Sequence, residues 1–293
     1  MNFDIGDGID TAVNYILDHF SPALDFIAAA IGLVTGAIQD VLVPLSMTIG
    51  LAIFVLLALW RVGVGFAIFT GISMWLVDAM GLWSAMMESL SLVIASTIVA
   101  IAIGLPLGIA MARRDPVAAA IRPILDLMQT MPAFVYLIPA AMFFGLGAVP
   151  GTIATVIFSM PPVVRLTNLG IRQVHVEFVE AGQAFGCTSR QLLFKVQLPN
   201  AMPSIMAGIN QTIMLSLSMV VIASMIGAGG IGNTVLTGIQ RLDVGTGFEG
   251  GLAVVILAVV LDRITQSFGK ERPAFWQLLL PNTARKRKEE ASA

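Results

Sequence analysis

Charged side chains are scarce in this chain: they make up 12% of its 293 residues, about half the share found in soluble domains. Hydrophobic residues make up 57%, and the mean hydropathy is +0.90. Several apolar runs have no polar face and reach the roughly 17–25 residues that a helix needs to cross a bilayer. The scarcity of charge therefore excludes an ordinary soluble protein and predicts an all-α, polytopic membrane protein.

The chain also lacks the groups from which most active sites and metal sites are built. Cys187 is the single cysteine, which excludes an internal disulfide and a cysteine-rich metal centre. His19 and His175 are the only histidines, and no HExxH pattern occurs. The phosphate-cradling loop GxxxxGK[ST] is missing as well. We therefore expect no catalytic residue, cofactor or metal, and ATP-derived energy would have to come from another subunit.

Ionisable residues in the middle of the apolar runs are not evident. Glu88, Glu249 and Asp262 fall near the ends of predicted spans. Ion-coupled transporters commonly use buried ionisable groups as relays, so their scarcity argues against secondary transport. Sodium sites built from backbone carbonyls leave no such trace, so a self-contained ion-coupled transporter stays the main alternative. A membrane-embedded enzyme would need more convergent His, Asp or Cys groups than the chain offers, and nothing specifically supports a pure scaffold.

The apolar runs predict seven membrane spans. They cover residues 45–60, 62–80, 89–112, 124–146, 149–165, 203–227 and 249–264. The first two are separated at Trp60 and Arg61, because residues 45–80 together exceed a single crossing. The fourth contains Pro132 and Pro139, so kinks are expected there.

The distribution of Lys and Arg predicts the orientation of these spans. Residues 1–60 contain no Lys or Arg but six aspartates. Basic residues lie between the third and fourth spans, between the fifth and sixth, and after the seventh, with Arg241 alone on the opposite side. Cytoplasmic loops carry an excess of Lys and Arg, which places these basic segments on the cytoplasmic side of the membrane and the N-terminus outside.

Three segments follow from this topology. Residues 1–44 form an extracytoplasmic segment whose run 20–43, apolar with interspersed Asp25 and Asp40, predicts an amphipathic helix on the outer surface. An eighth span is the alternative for that run. Residues 45–270 form the membrane domain, and residues 271–293 a basic cytoplasmic tail. The basic run 285–288 is more typical of contact with anionic lipid than with nucleic acid.

The most polar insert between spans lies at residues 174–200. Good helix formers over 174–185 predict a helix that Gly186 ends. Thr188 and Gln191 match a capping box for a second short helix, and Pro199 with Pro203 is expected to end the unit before the sixth span. The result is a helix–turn–helix knob, suited to taking force from a partner. A merely solvated loop is the alternative.

The knob carries the spacing Glu180-Ala181-Gly182, three residues, Gly186, nine residues, then Val196-Gln197-Leu198-Pro199. This resembles the cytoplasmic docking loop of ABC-importer permeases. Further runs resemble the glycine betaine/proline branch of these permeases; they are residues 122–126, 128–136, 161–167, 194–199 and 201–203 continuing through 224–226. The resemblance covers roughly residues 60–270. Gly182 departs from it, since the general motif often has a second alanine there, and the glycine is expected to add backbone freedom.

The resemblance implies a type I ABC-importer permease fold and a set of partners. They are a second copy of the chain, two cytoplasmic ATPase subunits and an extracytoplasmic substrate-binding protein. The implied substrates are quaternary amines: glycine betaine, proline betaine, choline or the related solute proline. The residues that would couple the chain to the ATPase are Glu177, Glu180, Ala181, Gly182, Ala184, Phe185, Gly186, Arg190, Leu198 and Pro199.

The fourth and sixth spans are the best candidates for the translocation pathway, because they mix small polar groups with aromatic and methionine side chains. The candidates are Met128, Gln129, Thr130, Phe134, Tyr136, Asn210, Met214 and Ser218. Interhelical packing is the alternative role for each of them.

Two glycine patterns favour structural roles. Gly104 and Gly108 have the GxxxG spacing that permits close helix packing. Residues 227–232 satisfy GxGxxG, but an apolar span precedes them in place of a strand, so a dinucleotide site is disfavoured. We expect a flexible outer turn there, where a binding protein could dock.

Overall fold

The computed structural model describes residues 5–268, and within that range the chain is helical with no strand. Thirteen α-helices follow one another: α1 Ile5–Leu42, α2 Met47–Arg61, α3 Val64–Ala79, α4 Trp83–Arg113, α5 Asp115–Thr130, α6 Leu137–Phe144, α7 Ala148–Ser159, α8 Pro161–Arg172, α9 Val176–Ala184, α10 Ser189–Leu192, α11 Leu198–Ala223, α12 Ile231–Arg241 and α13 Val244–Phe268. Short 3₁₀ turns lie at Ala133–Tyr136 and Ser224–Ile226, and a π-helical turn at Leu193–Gln197. The prediction of an all-α protein is confirmed. The basic tail 271–293 lies outside the described residues.

Five helical stretches in the described part of the chain are long and apolar enough to cross a membrane. They are Val13–Leu42, Trp83–Arg113, Ala148–Arg172, Ser189–Ile226 and Val244–Phe268. The two predicted spans at 45–60 and 62–80 are separate helices, α2 and α3, of 15 and 16 residues. At 1.5 Å per residue each is about 23 Å long, shorter than a typical hydrocarbon core of about 30 Å.

The predicted fourth span differs from a single kinked helix. Residues 115–144 form a pair, α5 and α6, bent by 111° at the break between them. Met131 has an extended backbone, φ −76° and ψ 138°, because the residue before a proline is pushed away from helical geometry. The Tyr136 hydroxyl donates a hydrogen bond to the Met128 carbonyl at 2.6 Å, which bridges the break. Pro132 therefore breaks the span, whereas Pro139 lies within α6.

Helix α1 is longer than the predicted run 20–43, since it spans 38 residues. It packs on the start of α7: the Thr35 hydroxyl donates to the Thr152 hydroxyl at 3.4 Å, and Gly32 faces Val149. Thr35 is 2% exposed, so this contact is buried. The length of α1 is sufficient for the alternative of an eighth span, and its placement on the outer surface stays a prediction.

Small residues bring α4, α8 and α11 close together. A Cβ on Gly104 would lie 2.5 Å from Val163 Cγ1, and one on Gly108 would lie 2.7 Å from the Val164 carbonyl oxygen. The close packing predicted for the GxxxG pair is therefore confirmed. Buried hydroxyls connect the same bundle, since Thr97 donates to Ser216 at 3.5 Å and Ser216 donates to Ser159 at 3.0 Å. In apolar surroundings, polar side chains commonly form hydrogen bonds with one another across neighbouring helices.

Contacts between helix termini define two ends of the bundle. At one end, which we call the knob end, the Arg172 guanidinium donates to the Met111 carbonyl and to the Asp115 carboxylate, both at 2.7 Å. Helix α13 packs along α11 in the returning direction, and Met214 and Leu261 line one cavity between them, so the last turn of α13 lies towards the same end. There the Ser267 carbonyl accepts from the Arg61 guanidinium at 2.6 Å. At the opposite end, the far end, the Gly147 N–H donates to the Ile226 carbonyl at 2.9 Å.

Candidate functional site

The knob, residues 174–200, folds as the two short helices that its sequence predicts. Gly186 ends α9 with φ +77°, its N–H donates to the Gln183 carbonyl, and the Cys187 N–H donates to the Gly182 carbonyl at 3.0 Å. The Thr188 side chain accepts from the Gln191 N–H, and the Gln191 side chain accepts from the Thr188 N–H at 2.9 Å. The C-terminal glycine and the capping box are both confirmed.

The prediction that prolines end the knob before the sixth span is wrong. The π-helical turn Leu193–Gln197 leads directly into α11, with Pro199 in its first turn and Pro203 inside it. Pro199, which has no N–H to donate, follows the π-helical turn, in which the Leu198 N–H donates to the Leu193 carbonyl. The Asn200 side chain adds a hydrogen bond to the Val196 carbonyl at 2.7 Å. The second helix of the knob is thus continuous with a membrane-spanning helix.

The surface of the knob is exposed and carries both aromatic and charged side chains. Phe185 is 90% exposed at the end of α9, and Phe178 and Phe194 are more than half exposed. The Arg190 guanidinium lies 6.0 Å from the centre of the Phe194 ring. Glu177, Glu180, Ala181, Ala184, Arg190, Lys195 and Pro199 are exposed as well, and Leu198 is half-buried. Aromatic and arginine side chains in such a setting are typical of binding hot spots.

Gly182 has a different role from the backbone freedom predicted for it. It lies inside α9 and is buried against the second helix of the knob. A Cβ at this position would lie 2.8 Å from Leu192 Cδ1 and 3.5 Å from Val196 Cγ2. The glycine therefore sets how closely α9 and α10 approach, which the sequence alone did not reveal.

The predicted pathway residues fall into two separate groups. Met214 and Ser218 line a cavity of about 120 Å³ between α11 and α13, opposite Asp262. Asn210 is not part of that lining, and its buried Oδ1 has no hydrogen-bond partner among the described residues. Of the second group, Met128 is half-buried, Gln129 and Thr130 are exposed at the end of α5, Phe134 is 57% exposed and Tyr136 is buried. Their role in a pathway stays a prediction.

At the far end, the turn Gly227–Gly230 is held by side chains of α4. Glu88 Oε2 accepts from the Gly230 N–H at 2.8 Å, and Ser89 Oγ accepts from the Ile231 N–H at 2.8 Å. Gly230 and Ile231 are buried. The expectation of a flexible turn is therefore wrong: the glycines supply positive φ angles and close approach in a closed contact. The signal for this role was Glu88, the acidic residue directly before the predicted span 89–112.

A dinucleotide site is excluded at this turn. A 3₁₀ turn, Ser224–Ile226, precedes it where a nucleotide-binding unit has a strand. The N–H groups of Gly230 and Ile231, which would face a phosphate, are already bonded to Glu88 and Ser89.

A bundle of apolar helices with an exposed helical knob between two of its spans defines a polytopic membrane permease. A solved structure of the methionine ABC transporter MetNI, in an inward-facing conformation, has the same fold, with a TM-score of 0.57 and 20% identity over 68% of this chain and 98% of that one. Residues 104–272 match the family described as binding-protein-dependent transport system inner membrane component, and the chain belongs to that family.

Two relatives extend the likeness over nearly the whole chain. The glycine betaine/proline betaine transport system permease protein ProW of Escherichia coli is 48% identical over 264 residues, which cover 90% of this chain and 74% of that protein. The glycine betaine transport system permease protein OpuAB of Bacillus subtilis is 48% identical over 268 residues, which cover 90% and 93%.

Proposed function

We propose that this chain is the permease subunit of an ATP-driven, binding-protein-dependent importer of quaternary-amine compatible solutes, with glycine betaine as the first candidate. The observation that carries the proposal is the exposed knob, whose second helix runs without interruption into α11. A partner that binds the knob can therefore move a membrane helix. The names of the two relatives support the substrate class.

The proposed assembly contains two copies of the chain, two ATPase subunits and one extracytoplasmic binding protein. The chain itself is non-catalytic, and the ATPase subunits supply the hydrolysis. Phe185, 90% exposed, offers an apolar anchor for the ATPase, and Glu180 and Arg190 offer charges around it. Apolar anchors surrounded by polar groups are typical of protein interfaces.

The distribution of basic residues supports the sidedness. Arg61 and Arg172 lie at the knob end, and Arg190 lies in the knob, whereas Arg241 ends α12 on the far side. By the excess of Lys and Arg in cytoplasmic segments, the knob end faces the cytoplasm and the far end faces outwards. Residues 1–44 would then lie outside and residues 271–293 inside.

The proposed cycle uses the two ends in turn. Closure of the ATPase dimer on ATP moves the knob, and the π-helical turn Leu193–Gln197 transmits this movement to α11. The two permease copies open outwards, accept solute from the binding protein, and return after hydrolysis. A quaternary ammonium group can pass over exposed aromatic rings such as Phe134 by cation–π attraction. Selectivity resides in the binding protein, because a tight site in the pathway would slow release.

The test is uptake of labelled glycine betaine by proteoliposomes that contain the permease and its ATPase subunit. We expect uptake only with ATP on the ATPase side and binding protein on the other. A complex with an inactive ATPase subunit is the matched control and should show none. Competition by unlabelled proline betaine, choline and proline then ranks the substrates.

The main alternative is a self-contained ion-coupled transporter of the same amines. It predicts uptake by the permease alone, and loss of that uptake when an ionophore collapses the ion gradient. Uptake that persists without ATP and binding protein would overturn the proposed function.

A further inference from the structure

Asp262 is a carboxylate inside a membrane-spanning helix. The span predicted at 249–264 placed it near an end, whereas α13 continues to Phe268, six residues beyond it. At 1.5 Å per residue this continuation adds about 9 Å of helix. Within residues 5–268 Asp262 forms no ion pair, and the Gln266 amide donates to its Oδ1 at 2.6 Å. An ionisable side chain within a span is costly and typical of a functional position.

Asp262 lines a cavity of about 120 Å³ between α11 and α13. On α11 the lining includes Met214 and Ser218, and on α13 it includes Val254 and Ala258. Met214 and Ala258 each lie close to the midpoint of their helix. The cavity therefore lies at mid-depth in the bundle, which is also the depth at which secondary transporters bind their solutes.

The exposed stripe of α11 beside this cavity is polar, unlike the exposed stripe of α13. Gln211 and Ser218 are exposed on either side of Met214, which is itself 51% exposed. On α13 the exposed residues beside the cavity are Val255 and Val259. Lipid would leave the Gln211 amide without hydrogen-bond partners, which is costly, whereas it suits the two valines. We therefore expect the stripe of α11 to face water or protein, and the stripe of α13 to face lipid.

The lining of the cavity fits a quaternary ammonium group. Such a group carries a permanent positive charge, has no N–H to donate and is covered by methyl groups. The Asp262 carboxylate supplies the opposite charge, while Ile213, Leu217 and Met214 supply apolar and polarisable surface. The Ser218 hydroxyl already donates to the Met214 carbonyl at 3.1 Å, so only its acceptor lone pairs remain for a ligand. A divalent metal ion would need about six oxygen ligands, which one carboxylate and one hydroxyl do not supply.

We infer that the cavity between α11 and α13 is a transit site for the quaternary ammonium group of the solute, with Asp262 as its counter-charge. The inference rests on the proposed function, which names the substrate class. The volume of about 120 Å³ is a fraction of the roughly 300–1,000 Å³ of pockets that enclose drug-sized ligands. Asp262 is also the single charged residue in the lining. The site is therefore weak, and it guides the solute without slowing its release.

The test measures the electrostatic field in the cavity with a cysteine reporter. Ser218→Cys is made in a Cys187→Ser background, because Cys187 is the chain's single cysteine, and the permease–ATPase complex is held in nanodiscs. Two methanethiosulfonate reagents, one carrying a trimethylammonium group and one a sulfonate, label the new thiol, and mass spectrometry of the permease follows the rates. The cationic reagent should react faster, and Asp262→Asn should lower the ratio of the two rates roughly 5-fold, whereas Asp262→Glu should keep it within about 2-fold.

A second readout separates transit from a merely structural role of Asp262. A structural role would change both labelling rates together and leave their ratio unchanged. In proteoliposomes, Asp262→Asn should lower the maximal rate of glycine betaine uptake roughly 5-fold, while the half-saturating concentration, which the binding protein sets, stays the same.

Val255→Cys is the matched control, because Val255 is 57% exposed on the apolar stripe of α13. Neither water-soluble reagent should label it. An unchanged ratio of rates in Asp262→Asn would overturn the inference, and so would equal labelling of Val255→Cys. A Ser218→Cys thiol that stays unreactive in a transporting complex would do the same, in favour of a second copy of the chain covering the stripe. If the wild-type complex shows no ATP-dependent uptake, the proposed function itself has failed.

Discussion

The knob and the turn Gly227–Gly230 lie at opposite ends of α11, and both depend on glycine. They differ in whether the hydrogen bonds that hold them come from neighbouring or from distant residues of the sequence. The knob is capped by Gly186 and Thr188 through bonds to residues three to five positions away. The far turn is held by Glu88 and Ser89, each 142 positions from its partner. The knob is thus built locally and leaves its surface for another protein, whereas the far end is closed by contacts within the chain.

Charge reversal in the knob should have the largest effect. We expect Glu180→Lys to reduce uptake roughly 100-fold, since reversing a charge at a protein interface costs several kcal/mol. Hydrolysis by the ATPase subunit should continue, because Glu180 is exposed and takes no part in the fold of the permease. The measurement is uptake per ATP hydrolysed in proteoliposomes.

Gln173→Lys is the control for this variant, because Gln173 is exposed and precedes the knob. It adds a positive charge at the same end and should leave the coupling ratio within 2-fold of wild type. Both variants should insert and purify like the wild type. Normal uptake by Glu180→Lys would remove Glu180 from the coupling surface.

At the far end, a methyl group should destabilise the chain at Gly230 much more than at Gly227. Gly227 is left-handed helical, with φ +82° and ψ 22°, whereas Gly230, with φ +75° and ψ −167°, lies in a region that is essentially restricted to glycine. The backbone cost of alanine is therefore also higher at Gly230. A Cβ on Gly230 would lie 2.3 Å from Ser89 Oγ, whereas the nearest atom to one on Gly227 is 3.9 Å away. Overpacking of this kind costs about 2 kcal/mol. We expect the thermal midpoint of Gly230→Ala to fall roughly 5 °C below that of Gly227→Ala.

Removal of the Ser89 hydroxyl tests whether this clash is the cause. Ser89→Ala takes away the atom that a Cβ on Gly230 would meet, so the double variant should be more stable than the sum of the single changes predicts. Equal midpoints for Gly227→Ala and Gly230→Ala would show that the far turn relaxes as readily as an exposed loop. The contrast between the two ends would then disappear.

The same contrast explains what could be predicted from the sequence. The caps of the knob were predictable from the sequence, because Gly186 and the pair Thr188 and Gln191 act on their immediate neighbours. Apolar runs predicted four of the five long apolar stretches in the described part of the chain, and the spacing around Gly104 and Gly108 predicted one close helix contact. Each of these signals is local, or follows from the periodicity of a single helix.

The remaining features depended on contacts between residues in different helical segments, which neither composition nor local spacing shows. The closed turn requires Glu88, which the sequence places in another helix. Pro132 produced a bend of 111° where a kink was expected, because the α5–α6 pair is stabilised by Tyr136 bridging the break. Gly182 was predicted to add backbone freedom, whereas it packs closely against Leu192, ten positions away in the next helix.

Gly182→Ala should have the smallest effect, although its Cβ would also lie too close to a neighbour, 2.8 Å from Leu192 Cδ1. That atom is the end of a flexible side chain in a half-buried position, so it can move. Alanine is also about 1 kcal/mol more favourable than glycine inside a helix, which offsets the cost of the shift. We expect a thermal midpoint within roughly 2 °C of wild type and uptake reduced less than 3-fold.

Leu192→Ala in the Gly182→Ala background separates internal packing from docking. If the small loss of uptake comes from a tilt of α9 against α10, removing the Leu192 methyl groups should restore it. A loss of more than 10-fold that this change does not restore would mean that the ATPase itself approaches Gly182. The partner chain would then pack against the knob as closely as α4 packs against the far turn.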